Sequence, residues 1–214
     1  MYDDRRDYLP AAGTDWALPL YDPVTRLLGA DAARRKLLDQ ASLSPGHRVL
    51  DIGCGTGTLA TLVKQLQPSV DMIGLDPDPK ALARARKKTT RARVSVHFDQ
   101  GFSDHLPYPD ESFDRVFSSL MFHHIANDDR QNTLREIRRV LKPGGSFHLV
   151  DFSKPEGGPH GLFHLIHANG HISMNSDAGI LALMSQAGFS QPRKANEARM
   201  MFGLLRVAYF AASV

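Results

Sequence analysis

The chain has 214 residues, 42% hydrophobic and 23% charged, which are the proportions of one water-soluble globular domain with a sizeable core. A net charge of +3 is too small to argue for nucleic acid, and a single cysteine, Cys54, excludes an internal disulfide or a multi-cysteine metal site. No apolar run reaches membrane-spanning length, and the opening MYDDRRDYLP lacks the apolar core of a secretory leader, so cytoplasm is the expected compartment.

The stretch to about Gly29 carries Trp16, Tyr21 and three prolines without a clear period, and reads as an arm lying over the domain. Trp16 and Tyr21 either close over a ligand or anchor that arm. Asp31 stands where it can cap a helix whose apolar face includes Leu37, Leu38 and Ala41. Ser44-Pro45-Gly46 is a turn, and His47 to Asp51 a buried strand. Leu59, Leu62, Val63 and Leu66 recur at helical spacing, ended by Pro68. Met72 to Leu75 is a second strand, broken by Asp76-Pro77-Asp78-Pro79 before a helix with Leu82 and Ala85 inward. The basic run RARKKTTRAR, 84–93, reads as a solvated helix face. Val94, Val96 and Phe98 alternate as a strand does, and Phe113 to Leu120 is a fourth. Leu134, Ile137, Val140 and Leu141 form a helical stripe ended by Pro143-Gly144-Gly145, before a fifth strand from Phe147 to Val150. Ile180, Leu181, Met184 and Ala187 form a last helix closed by Gly188. The tail from Gln191 to Ser213 reads as two further strands, Leu204 to Phe210 being the clearer. Five strand–helix alternations mean a parallel sheet with helices on both faces, and the final pair adds an antiparallel edge.

The stretch VLDIGCGTG, 49–57, carries the chemistry. A strand runs into Asp51 and opens into Gly53, Gly55 and Gly57. A nicotinamide fingerprint wants glycine at the sixth position from Gly53, where Thr58 stands. A carboxylate at the turn repels a pyrophosphate but suits a ligand bearing an ammonium and a sulfonium. S-adenosylmethionine carries both. Asp76, ending the second strand, can accept both hydroxyls of a ribose, as acids at this place also do in nicotinamide enzymes.

This motif is similar to the first motif of the class I S-adenosylmethionine-dependent methyltransferases. The resemblance continues through LDPD at 75–78, LPYPDESFD at 106–114, SSLMFHHI at 118–125 and RRVLKPGG at 138–145. It is nearest to the small-molecule branch that includes the quinone-biosynthesis C-methyltransferases, which LYDPVTRLLG in the arm also resembles. It implies an α/β Rossmann-like three-layer sandwich with a seven-stranded, mostly parallel sheet of order 3-2-1-4-5-7-6, the last strand antiparallel. Residues 1–214 would be a single domain, with 1–30 an arm or lid and about 152–175 a substrate-side segment. By motif position the cofactor would be held by Asp51, Gly53, Gly55, Gly57, Asp76, Pro77, Phe102, Ser103 and Leu120. One departure stands out: Phe102 occupies the place where the family often has an acid that accepts from the adenine amino group.

For the chemistry itself, His123 and His124 follow the fourth strand at the rim where an acceptor approaches, and either can take a proton; histidines there also pack loops. His160, His164, His167 and His171 share one helical face, as a polar wall or a solvated surface, and no metal is expected. Cys54 reads as a small buried filler. The expected function is methyl transfer from S-adenosylmethionine to a small organic acceptor by in-line displacement. The alternatives are an RNA or protein methyltransferase and a non-catalytic cofactor-binding protein. Ser118-Ser119-Leu120-Met121 stands where adenine-amino and glutamine methyltransferases carry an Asn/Asp-Pro-Pro-aromatic motif, so nucleic acid is not an expected partner.

Overall fold

The computed structural model describes residues 18–153, 176–203 and 205–214, without the side chains of 18–21 and 202. Trp16 and the four histidines from His160 to His171 lie outside them, as does most of the segment expected on the substrate side. Seven strands, β1 (Arg48–Ile52), β2 (Asp71–Asp76), β3 (His97–Gln100), β4 (Phe113–Ser119), β5 (Leu141–Phe152), β6 (Ser190–Met200) and β7 (Leu205–Ser213), form one sheet. Its order is β3-β2-β1-β4-β5-β7-β6, as the resemblance implied. The first five strands are parallel, and β7 runs antiparallel to both β5 and β6.

Among the described residues six α-helices cover the sheet: α1 (Leu18–Leu27), α2 (Ala30–Asp39), α3 (Thr58–Leu66), α4 (Pro79–Ala92), α5 (Asn127–Val140) and α6 (Asp177–Gln186). Successive residues of a strand point to opposite faces, so Val49 and Leu50 enter different cores. Val49 packs with Leu37 of α2, Leu59 of α3 and Leu82 of α4. Leu50 and Ile52 pack with Leu134 and Ile137 of α5 and Met184 of α6. All three β1 residues are fully buried, as expected of a central parallel strand covered on both sides. No helix of the described residues is long and apolar enough to cross a membrane.

Four local expectations are corrected. The arm is helical over Leu18–Leu27. Pro19 lies in its first turn, where an N–H has no helical partner anyway, and Pro23 inside it hides the helical period. The N-cap of α2 is Gly29, with φ +92°, whereas Asp31 sits in the first turn beside Arg34 (3.3 Å) and Arg26 (3.6 Å). Val94 and Val96 precede β3, because Arg93 closes α4 in a left-handed conformation and the Val94 N–H returns to Thr89 O at 3.1 Å. Pro143-Gly144-Gly145 lies inside β5, where Gly144 and Gly145 exchange backbone hydrogen bonds with Val214, and the register shifts between Phe113 and Arg115.

The two sheet edges differ from the centre. β3 has four residues. β6 is mostly exposed, carries Pro192, Arg193, Lys194, Glu197 and Arg199, and slips register twice against β7.

Candidate active site

The site lies beyond the carboxyl ends of β1, β2 and β4, where sheet order reverses in this topology. Gly53, Gly55 and Gly57 all take the left-handed region, with φ +65°, +53° and +73°, but their surroundings differ. A Cβ on Gly53 would come within 2.2 Å of Met121 Cγ, so that glycine lets the chain after β4 close on the turn. A Cβ on Gly57 would meet Ala85 Cβ at 2.8 Å, so this one brings α3 against α4. A Cβ on Gly55 would meet nothing within 4 Å. Beside it opens a cavity of about 540 Å³.

Eight of the nine expected cofactor residues line that cavity: Asp51, Gly53, Gly55, Asp76, Pro77, Phe102, Ser103 and Leu120. Gly57 does not, because its Cβ direction is filled by α4. Of the histidine pair, His124 is on the wall and His123 is not. His123 is buried, with its N–H donating to Asp151 Oδ2 at 2.8 Å and its Nδ1 2.5 Å from Asp151 Oδ1. Since an ionised carboxylate only accepts, Nδ1 carries the proton there. This pair ties the turn after β4 to the end of β5. Leu120 holds a left-handed φ of +55° with its N–H on Val150 O, an arrangement costing a non-glycine residue about 1–2 kcal/mol.

Asp76 is almost wholly buried. Its Oδ2 accepts from the Gly55 N–H at 2.8 Å and its Oδ1 from the Asp78 N–H at 2.9 Å. One carboxylate thus joins both turns, and each oxygen retains a lone pair for a ligand hydroxyl. Burial pushes its pKa up to about 6, against the pull of those two N–H groups. Asp51 is buried too, and its Oδ2 has no hydrogen-bond partner among the described residues. Burial pushes Asp51 up to about 8; the Arg34 charge acts against this and the Asp76 charge adds to it. Cys54 is buried and packs against Gly74, and burial pushes its thiol well above the ordinary range.

Sequence reasoning missed Arg34, Met121, Ile125 and Asp129 on the cavity wall. Arg34 left a signal: it shares the stripe of Ala30, Leu37, Leu38 and Ala41, so a charge stood on a buried helical face. The turn-side set fits the cofactor the motif implies. An orphaned buried carboxylate oxygen suits an ammonium, the lone pairs of Asp76 suit a diol, and the space at Gly55 admits a ligand against main chain.

Comparison with known proteins agrees. Residues 49–145 match the family described as a methyltransferase domain. The demethylmenaquinone methyltransferase of Thermus thermophilus is 34% identical over 197 residues, covering 80% of this chain and 89% of that one. That of Deinococcus radiodurans is 33% identical over 192 residues, covering 86% and 78%. Among solved structures, the YcgJ protein of Bacillus subtilis shares the fold, with a TM-score of 0.72 at 22% identity over 86% of this chain and 98% of that one.

Proposed function

Since the chain belongs to the S-adenosylmethionine-dependent methyltransferases and is such an enzyme, we propose that its acceptor is a reduced quinone-type ring and that the methyl goes to a ring carbon. The observation that carries this reading is the identity with the Thermus thermophilus demethylmenaquinone methyltransferase along nearly all of its length. The cavity supports it, because beyond the turn its wall is formed by Leu120, Met121 and Ile125, apolar neighbours for a neutral ring, with His124 among them.

Each part of the wall then has a task. Asp51 holds the ammonium and Asp76 the ribose hydroxyls; Gly53 and Gly55 offer main chain at close range. Phe102 packs on the adenine instead of accepting from it. When bound, S-adenosylmethionine supplies a methyl on a sulfonium, a good leaving group. The residues therefore need chiefly to align donor and acceptor, an effect that reaches about 7–11 kcal/mol in favourable cases. A ring carbon that takes a methyl must release its proton. His124 is the side chain placed to receive it, while His123, held by Asp151, fixes the turn on which His124 stands.

Incubation with labelled S-adenosylmethionine and chemically reduced demethylmenaquinone should yield the ring-methylated product by mass spectrometry. His124→Ala should lower turnover by about 10²–10⁴-fold, the usual range for a positioned acid–base group, with S-adenosylhomocysteine affinity kept. Binding of the cofactor without any transfer to reduced quinones would reject the acceptor class, and unchanged turnover in His124→Ala would reject the base.

A further inference from the structure

The basic run of α4 is not wholly a solvated face. Lys88 turns inward to Asp22 of α1, to Thr56 of the glycine turn and to Thr58, the first residue of α3. Its ammonium donates to Asp22 Oδ2 at 2.7 Å, to Thr58 Oγ1 at 2.6 Å and to Thr56 Oγ1 at 3.1 Å. That uses all three of its N–H groups. Thr56 and Thr58 in turn donate to Asp22 Oδ1, at 2.6 and 3.2 Å. The four side chains close into one ring from three elements far apart in sequence.

The position of this ring gives it a consequence for the ligand. Thr56 and Thr58 line the cavity and flank Gly57, so whatever fixes their hydroxyls fixes the turn. α1 is secured elsewhere at its far end, where Leu28 O accepts from the Met201 N–H at 3.1 Å and Gly29 starts α2. Between them, the ring fastens the middle of α1 to the turn. The Lys88 and Asp22 side chains are 25% and 38% exposed, so solvent ions reach the pair.

We infer that Asp22 and Lys88 are positioning residues for the cofactor: together they clasp α1 onto Thr56 and Thr58, hold the glycine turn in its binding shape and slow the cofactor's release. The inference rests on the assignment of S-adenosylmethionine to this cavity. Neither residue touches the reacting atoms, and both act through the turn.

The test is the release rate of tritiated S-adenosylmethionine from the full chain, chased with excess unlabelled cofactor. Asp22→Asn and Lys88→Met should each speed release about tenfold, and the double variant should release no faster than the quicker single one, because either change opens the same ring. Lys88→Arg, which keeps the charge, should restore part of the slow release. In the parent, raising ionic strength from about 0.05 to 0.5 M should speed release several-fold by screening the pair, and in Lys88→Met it should not. Circular dichroism and melting curves establish that each variant is folded. Should Lys88→Met fail to fold, Asp22→Asn, which keeps the side-chain shape, and the parent's salt dependence carry the test. Folded variants that release at the parent's rate, or a parent whose release ignores salt, would overturn the clasp. A parent that binds no S-adenosylmethionine would instead overturn the cofactor assignment.

Discussion

Asp76→Ala is the substitution that probes most at once. Its carboxylate accepts from the buried N–H groups of Gly55 and Asp78, so alanine leaves two main-chain donors without their acceptor. An orphaned buried donor costs about 1–3 kcal/mol, and because the cavity lets water reach this place the lower part of the range applies, giving about 2–3 kcal/mol of lost stability for the pair. The ribose contact is lost separately. A hydrogen bond to a charged group contributes about 1.5–3 kcal/mol, which is roughly ten- to a hundred-fold in affinity. Asp76→Asn separates the two effects. Its amide oxygen can satisfy one N–H, its NH₂ faces the other, and the charge is gone. Urea denaturation should therefore rank parent, Asn, Ala in falling stability, and calorimetry with S-adenosylhomocysteine should give the same order. An alanine variant that binds as tightly as the parent would refute the ribose role. One that binds weakly yet unfolds at the parent's urea midpoint would refute the role in joining the turns.

Three further outcomes are expected. Gly55→Ala and Gly57→Ala both force alanine into a left-handed conformation, at about 1–2 kcal/mol. Only at Gly57 does the methyl also strike Ala85, so Gly57→Ala should melt lower, whereas Gly55→Ala should show the greater loss of S-adenosylhomocysteine affinity; equal melting temperatures would contradict this division. Asp51 and Asp76, raised to about 8 and about 6 from an ordinary 3.8, hold protons in the free folded protein that the unfolded chain has released. Their contribution to stability accordingly falls as pH rises from about 4 to about 8. Because an ammonium favours ionised Asp51, binding at pH 7 should expel a proton and tighten from pH 6 to 8; identical calorimetric heats in phosphate and Tris buffers would contradict it. Phe102→Asp should tighten S-adenosylhomocysteine binding up to about tenfold by returning an acceptor to the adenine edge, and a folded variant that binds no better would argue that Phe102 already supplies equivalent contact.

The strands and their alternation with helices were legible because burial on both faces leaves apolar runs such as that in β1. The order of the sheet was legible only through the motif series. Local geometry was less so. Pro23 concealed α1, and the bonds that draw Gly144 and Gly145 into β5 come from Val214, some 70 positions away. The cavity residues on the glycine turn could be read because their spacing is local. Lys88 could not be placed in the same way: a cation on a helix reads as solvated until the fold sets it beside Asp22, whereas Arg34 stands on an apolar stripe that marks it as buried without saying which acid it faces. His123 shows the converse. Its position after β4 suggested a reactive group, but Asp151, 28 residues on, accepts from both its main chain and its ring.

The outermost strands bear on self-association. A bare strand invites a neighbour's strand to extend the ladder. β3 is too short to offer much of a template, and β6 presents a proline, several charges and two irregularities in place of a flat ribbon. Continuation of the sheet from one copy into another is thus obstructed at either end. Among the described residues, neither outer strand therefore offers the flat, bare ladder along which a second copy's strand could align.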